Sequence, residues 1–71
     1  MKEIDLIKLG NNIRAERSRQ NLTQEELGQM TGLLAQHIGR IEKGEIDIRF
    51  STLVTILYAL NIPFDKIYDL N

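Results

Sequence analysis

The sequence lacks cysteine and tryptophan, and its 71 residues include one proline and one histidine. Without cysteine there can be no disulfide framework, no thiolate metal site and no cysteine nucleophile. The single histidine, His37, cannot form a metal cluster alone, so we expect neither a metal nor another cofactor. No apolar run approaches the roughly 20 residues that a membrane helix needs. We therefore expect a cytoplasmic protein that does not contact a membrane.

The charges are nearly balanced, with a net charge of -1 at pH 7. This balance provides no whole-molecule field that would attract nucleic acid, so nucleic-acid binding would depend on the local placement of charge. The chain is 42% hydrophobic and 27% charged, which is typical of a globular protein. A domain this small has a thin core and little room for an enclosed substrate cavity. We expect no enzyme activity and no catalytic residue.

The spacing of the apolar residues predicts an all-α bundle of five short helices in a single domain, residues 1–71. The fourth helix is apolar on most sides, which predicts that it packs between other helices. We expect Asn21 to close the first helix, because asparagine accepts the left-handed conformation. The approximate helix ranges are 5–20, 23–30, 34–43, 50–60 and 64–70.

The second and third helices are predicted to form a helix-turn-helix over about residues 23–43. Thr23 and Glu26 have the spacing of a capping box, which starts the second helix. Gly32 then permits a tight turn with positive φ, and Gly44 ends the third helix. Two short helices joined by a glycine-containing turn of a few residues define this motif.

From about Leu9 to Tyr68 the chain resembles the lambda-repressor/Cro-type helix-turn-helix family, also called the XRE family. The resemblance rests on LTQEEL at 22–27, Gly32 and IGRIEKG at 38–44, in the family's order and spacing. It implies a five-helix DNA-binding bundle whose third helix is the recognition helix, entering the major groove of double-stranded DNA. Leu34 departs from the pattern, because the family usually has serine or threonine at this cap.

Helix geometry and side-chain chemistry indicate which residues would contact DNA. If Ile38 and Ile41 are buried, the opposite face of the third helix is solvated. Gln36 matches adenine N6 and N7, and Arg40 can bind guanine O6 and N7. In the family, the glutamine at Gln24 commonly holds a phosphate. The full predicted DNA-binding set is Thr23, Gln24, Ala35, Gln36, His37, Gly39, Arg40 and Lys43.

The resemblance also implies an ion pair between Arg17 and Glu42, since the family has matching residues at these positions. A charge near a small core needs such a partner. Separately, the last ten residues carry more apolar surface than a terminal helix on a thin core needs, which predicts a homodimer. The alternative is that this helix only closes the core of its own chain. The expected dimer interface consists of Ile62, Pro63, Phe64, Ile67 and Tyr68.

The most favoured function is that of a dimeric repressor that reads a palindromic operator. The alternative is a protein-interaction module, or an antitoxin-type partner-binding protein, on the same scaffold. Residues 45–71 are acidic and favour this alternative. Seven of the nine basic residues lie in residues 1–44, where they favour DNA binding. The sequence does not choose between an antitoxin, a restriction-modification controller and a stand-alone regulator, nor does it identify an operator, an effector or a protein partner.

Overall fold

The computed structural model describes residues 5–67, and in this range the chain is helical without strands. The four α-helices are α1 (Leu6–Arg19), α2 (Gln24–Thr31), α3 (Ala35–Glu42) and α4 (Phe50–Leu60). None of these described helices is long and apolar enough to cross a lipid bilayer. The prediction of an all-α fold is confirmed.

The predicted fifth helix is wrong in the described part of the chain, which has four α-helices. A single 3₁₀ turn, Phe64–Lys66, stands where that helix was expected to begin. A long-range contact accompanies this turn: the side-chain amide of Asn12 on α1 donates a hydrogen bond to the carbonyl of Ile67. That contact fixes the end of the turn against α1. The remainder of the expected helix, residues 68–70, lies outside the described residues.

The ends of the helices follow the local signals in the sequence. The Thr23 hydroxyl accepts a hydrogen bond from the Glu26 amide at 3.0 Å, and the Glu26 carboxylate accepts one from the Thr23 amide at 2.8 Å. This reciprocal pair is the predicted capping box. Asn21 (φ 60°) and Gly32 (φ 78°) both adopt the left-handed conformation. The predictions for these chain reversals are confirmed.

The core lies where α1, α3 and α4 converge with α2. Its side chains are almost completely inaccessible to solvent: Leu9, Ile13, Leu27, Ile38, Ile41, Ile56, Leu57, Leu60, Ile62 and Ile67. Gly10 allows α1 to approach the end of α3 closely, because a Cβ at this position would lie 2.5 Å from the backbone oxygen of Glu42. This close approach positions the motif relative to α1.

The fourth helix packs one face against the core and leaves another face exposed. Ile56, Leu57 and Leu60 are buried, but Phe50, Val54 and Tyr58 are 69%, 43% and 88% exposed. The three exposed residues are spaced four apart and therefore lie on one helix face. We refer to Phe50, Val54 and Tyr58 as the α4 stripe.

Candidate nucleic-acid interface

The turn between α2 and α3 is held by backbone geometry and by Thr31. Gly32 donates its amide to the Gly28 carbonyl at 2.8 Å, and the Thr31 hydroxyl donates to the Leu27 carbonyl at 2.8 Å. Leu34 then occupies the cap position of α3 without a side-chain hydrogen bond. The departure at Leu34 therefore removes a polar cap but does not prevent α3 from forming.

The two faces of α3 differ sharply. Ile38, Ile41 and Glu42 are buried, whereas Gln36, Arg40 and Lys43 are exposed. Positions 36, 40 and 43 recur at steps of four and three, which places them on one side of the helix. Ala35 and His37 are partly buried near the start of α3. The separation of a buried and a solvated face is as predicted.

Arg40 has one weak partner. Its Nε lies 3.8 Å from Oε1 of Glu45, and both side chains are more than half exposed. Pairs of this kind contribute about 0–1 kcal/mol. Arg40 can therefore exchange Glu45 for another hydrogen-bond acceptor at little cost.

Gln24 contacts α3 directly, which the sequence did not indicate. Its Nε2 donates to Oε1 of Glu42 at 3.1 Å, and its amide covers Gly39. A Cβ on Gly39 would lie only 3.3 Å from Gln24 Nε2. Gly39 therefore leaves room for the Gln24 side chain, and its predicted contact with DNA stays a prediction. Thr23, in the capping box, is exposed beside Gln24.

The predicted ion pair between Arg17 and Glu42 is present and connects α1 to α3. Arg17 Nε lies 2.6 Å from Glu42 Oε2, and Arg17 Nη2 lies 3.1 Å from Oε1. A third guanidinium nitrogen, Nη1, donates to the Leu22 carbonyl at 2.6 Å. The side chains of Arg17 and Glu42 are 12% and 3% exposed. The hydrogen bond that Arg17 donates to Glu42 raises the pKa of Arg17 above its usual value, by more than burial lowers it.

These features place two short helices, a glycine turn and a solvated helix face in the arrangement of a DNA-binding motif. A helix-turn-helix family model matches residues 13–67, which is most of the chain. The chain belongs to this family. It is the XRE-type helix-turn-helix family that the sequence motif resembles, and its members are DNA-binding transcriptional regulators, not enzymes.

Individual relatives of this helix-turn-helix protein are control proteins and regulators. The control protein C.SmaI of Serratia marcescens is 37% identical over 59 residues, covering 83% of this chain and 70% of the relative. A helix-turn-helix transcriptional regulator of Sinorhizobium medicae is 33% identical over 63 residues, covering 89% of this chain. The match spans only 45% of that regulator's length.

Solved structures show the same fold. The restriction-modification controller protein C.AhdI of Aeromonas hydrophila superposes with a TM-score of 0.85 at 28% identity, covering 89% of this chain and 96% of C.AhdI. The clp gene regulator ClgR of C. glutamicum superposes with a TM-score of 0.88, covering 99% of this chain and 90% of ClgR. Because ClgR is only 17% identical to this chain, the likeness shows a shared fold and nothing more.

Four of the five residues expected at the dimer interface of this helix-turn-helix protein lie in the described part of the chain, and two of them are buried. Ile62 and Ile67 are buried in the core of the chain itself, with 7% and 5% exposure, so they are not available to a partner. Pro63 and Phe64 are exposed, and Tyr68 lies outside the described residues. The Phe64 ring packs edge-on against Phe50, with ring centroids 5.7 Å apart. This contact joins the α4 stripe to the 3₁₀ turn.

Sequence reasoning missed several residues that shape this helix-turn-helix domain. Asn12 is 1% exposed and fastens α1 to Ile67. Gln20 Nε2 donates to the Leu60 carbonyl at 2.7 Å and joins the end of α1 to the end of α4. Asn12 lies three residues after Leu9, on the apolar side of α1, so its position was a signal of burial. Nothing local to Gln20 indicates its partner.

Proposed function

We propose that this helix-turn-helix regulator is a dimeric repressor that reads a palindromic DNA operator with α3 as the recognition helix. The observation that carries the proposal is the solvated face of α3, where Gln36, Arg40 and Lys43 project from a helix whose other face is buried. The Arg17–Glu42 pair fixes that helix to α1. A rigid helix with an exposed polar face is what reading of base edges in the major groove requires.

The chemistry of the exposed residues suggests a division of roles. Gln36 and Arg40 are the base-reading residues, because a side-chain amide and a guanidinium can each form paired hydrogen bonds with a purine. Lys43, at the opposite end of α3, is a phosphate anchor. Ala35 would contact a thymine methyl group, and His37 would contact a base edge or a phosphate.

The start of α2 provides a further proposed contact. The backbone amides at a helix N-terminus attract anions, and Gln24 and Thr23 lie at this terminus. One amide hydrogen of Gln24 is used by Glu42, which leaves the second available to a phosphate oxygen. The contact with Glu42 holds the Gln24 side chain ready for this role.

The dimer is proposed to form through the α4 stripe together with Pro63 and Phe64. Large exposed aromatic residues on one continuous surface are typical of a protein interface. A two-fold axis through this surface would place the same patch of both copies in contact. The two α3 helices would then address half-sites with centres about 34–36 Å apart.

Among the regulatory roles that the sequence leaves open, two of the similar proteins favour a restriction-modification controller. C.AhdI is described as a controller of this kind, and C.SmaI as a control protein. Both alignments cover more than four-fifths of this chain. Repression would result from occupation of the operator.

Selection of bound duplexes from a random pool tests this proposal. We expect enrichment of a near-palindrome whose half-site centres are about one helical turn apart. An enriched site without two-fold symmetry would contradict the dimeric arrangement. Absence of any enrichment, with no salt-dependent binding of random duplex, would instead support the alternative role as a protein-interaction module.

A further inference from the structure

A polar cleft borders the exposed face of α3 on the side of α1. Its volume is about 400 Å³, whereas about 10–15 Å³ in the same measure is enough to hold one water molecule. We call it the α1–α3 cleft. It is lined by Asn11, Arg14, Gln24, Gly39, Glu42 and Lys43. Asn11 and Arg14 belong to α1 and precede the helix-turn-helix motif.

The charge of the α1–α3 cleft favours an anion. Arg14 and Lys43 are exposed, and neither forms an ion pair among the described residues. Glu42 is the one carboxylate that lines the cleft, and it is already bound by two nitrogens of Arg17. Arg17 therefore balances the negative charge of Glu42. Among the described residues, no carboxylate balances the positive charges of Arg14 and Lys43.

The lining of the cleft also supplies hydrogen-bond donors. Gln24 is fixed by its contact with Glu42, and Asn11 contributes a second side-chain amide. Because Gly39 has no side chain, the Gln24 side chain can pack directly against the backbone of Gly39. A guanidinium, an ammonium group and two amides around one opening match a phosphate group, which offers several acceptor oxygens.

We propose that the α1–α3 cleft binds a phosphate group of the DNA backbone, with Arg14 as a contact residue outside the helix-turn-helix motif. The inference rests on the proposed function, since Lys43 links the cleft to the face of α3 that would enter the groove. Arg14 donates to the phosphate oxygens from α1, and Lys43 donates from α3. The contact adds affinity and fixes the position of α1 on the duplex, but it does not distinguish one base sequence from another.

The test compares the salt dependence of duplex binding for the parent, Arg14→Gln and the matched control Arg19→Gln. Arg19 also lies on α1, but it pairs with Glu16 and does not line the cleft. Fluorescence anisotropy with the selected operator gives the slope of log Kobs against log salt concentration. Loss of one phosphate contact in each of the two protomers should reduce the magnitude of that slope by about 1.8. It should also weaken binding about thirtyfold at 0.15 M salt.

The expected result is that Arg14→Gln shows both changes and still selects the parent's operator sequence, whereas Arg19→Gln retains the parent slope. Arg14→Lys should restore most of the slope, since it keeps the charge. Equal slopes for the parent and Arg14→Gln, or equal losses for Arg14→Gln and Arg19→Gln, would overturn the cleft contact while leaving the proposed function intact.

A second measurement separates failure of the cleft from failure of DNA binding. Titration with inorganic phosphate, followed by the NMR signals of the Asn11 and Gln24 side-chain amides, reports on the cleft without DNA. If the parent protein binds no duplex, the proposed function is overturned, and so is the proposal that DNA supplies the phosphate. If its cleft amides nevertheless shift with phosphate, the cleft binds anions other than DNA.

Discussion

At the scale of single residues, Glu42 serves two neighbours at once, because its carboxylate accepts hydrogen bonds from Arg17 and from Gln24. Replacing Glu42 with alanine leaves the Arg17 guanidinium without its main partner in a mostly buried position. We expect Glu42→Ala to lower the free energy of unfolding by about 3 kcal/mol, at the low end of the range for buried pairs. Arg17 limits the loss because it keeps its bond to the Leu22 carbonyl. Urea denaturation measures the change.

Glu16→Ala is the matched control for this prediction, since Glu16 pairs with Arg19, whose side chain is 56% exposed. Removing Glu16 leaves the Arg19 charge in solvent, and pairs with such a solvated partner contribute about 0–1 kcal/mol, so this variant should unfold close to the parent. Equal denaturation midpoints for Glu42→Ala and the parent would show that the buried pair does not stabilise the fold.

Arg40 and Lys43 are one turn apart on α3, and they should respond differently to truncation. Arg40→Ala should lose about 1–3 kcal/mol for each half-site of the best operator and relax the preference at one base position in each half-site. Lys43→Ala should weaken binding to all duplexes by a similar factor, because a phosphate contact carries no sequence information. Binding-site selection with each variant measures the difference. The same altered preference in both variants would contradict the assigned roles.

At the scale of secondary structure, the packing of α1 on α3 depends on the absence of a side chain at Gly10. In Gly10→Ala the new Cβ would overlap the backbone carbonyl oxygens of Ile41 and Glu42, which cannot move independently of α3. Overpacking of this kind costs about 1–3 kcal/mol. Alanine recovers up to about 1 kcal/mol of helix propensity. We expect a net loss of about 1–2 kcal/mol in the free energy of unfolding.

Gly39→Ala provides the comparison, because the new Cβ would meet only the flexible end of the Gln24 side chain. The substitution gains the same helix propensity as Gly10→Ala. Thermal unfolding of the two variants should therefore place Gly39→Ala near or above the parent and Gly10→Ala clearly below it. A Gly10→Ala protein as stable as Gly39→Ala would show that α1 and α3 can separate without cost.

At the scale of the whole molecule, the α4 stripe is proposed to hold two copies together. Tyr58 is 88% exposed, so Tyr58→Asp should leave the fold of the chain intact. A carboxylate on each side of a two-fold interface would be desolvated without a partner, and we expect the variant to sediment as a monomer with greatly reduced operator affinity. Met30→Asp changes an exposed apolar residue of α2 in the same way and should remain dimeric. A parent that sediments as a monomer while saturating its operator would exclude the dimer.

Local sequence determined where the second helix starts, where the chain reverses after a helix, and the family motif of this protein. The Thr23 capping box involves groups only three residues apart, and Asn21 and Gly32 adopt left-handed φ values that their own side chains permit. Such features need no information from distant parts of the chain. The alternation of buried and exposed positions along α3 likewise follows from helical periodicity.

Tertiary structure decided which surfaces stayed open and which polar groups were paired. Asn12 meets the carbonyl of Ile67 across 55 residues, and this contact accompanies a 3₁₀ turn where a fifth helix was expected. The Gln24 side chain packs over Gly39, where there is no side chain, and donates a hydrogen bond to Glu42. The α4 stripe is exposed because no other described helix covers that face. Each outcome depends on the relative placement of whole helices, which the free energy of packing the common core selects and local sequence does not encode.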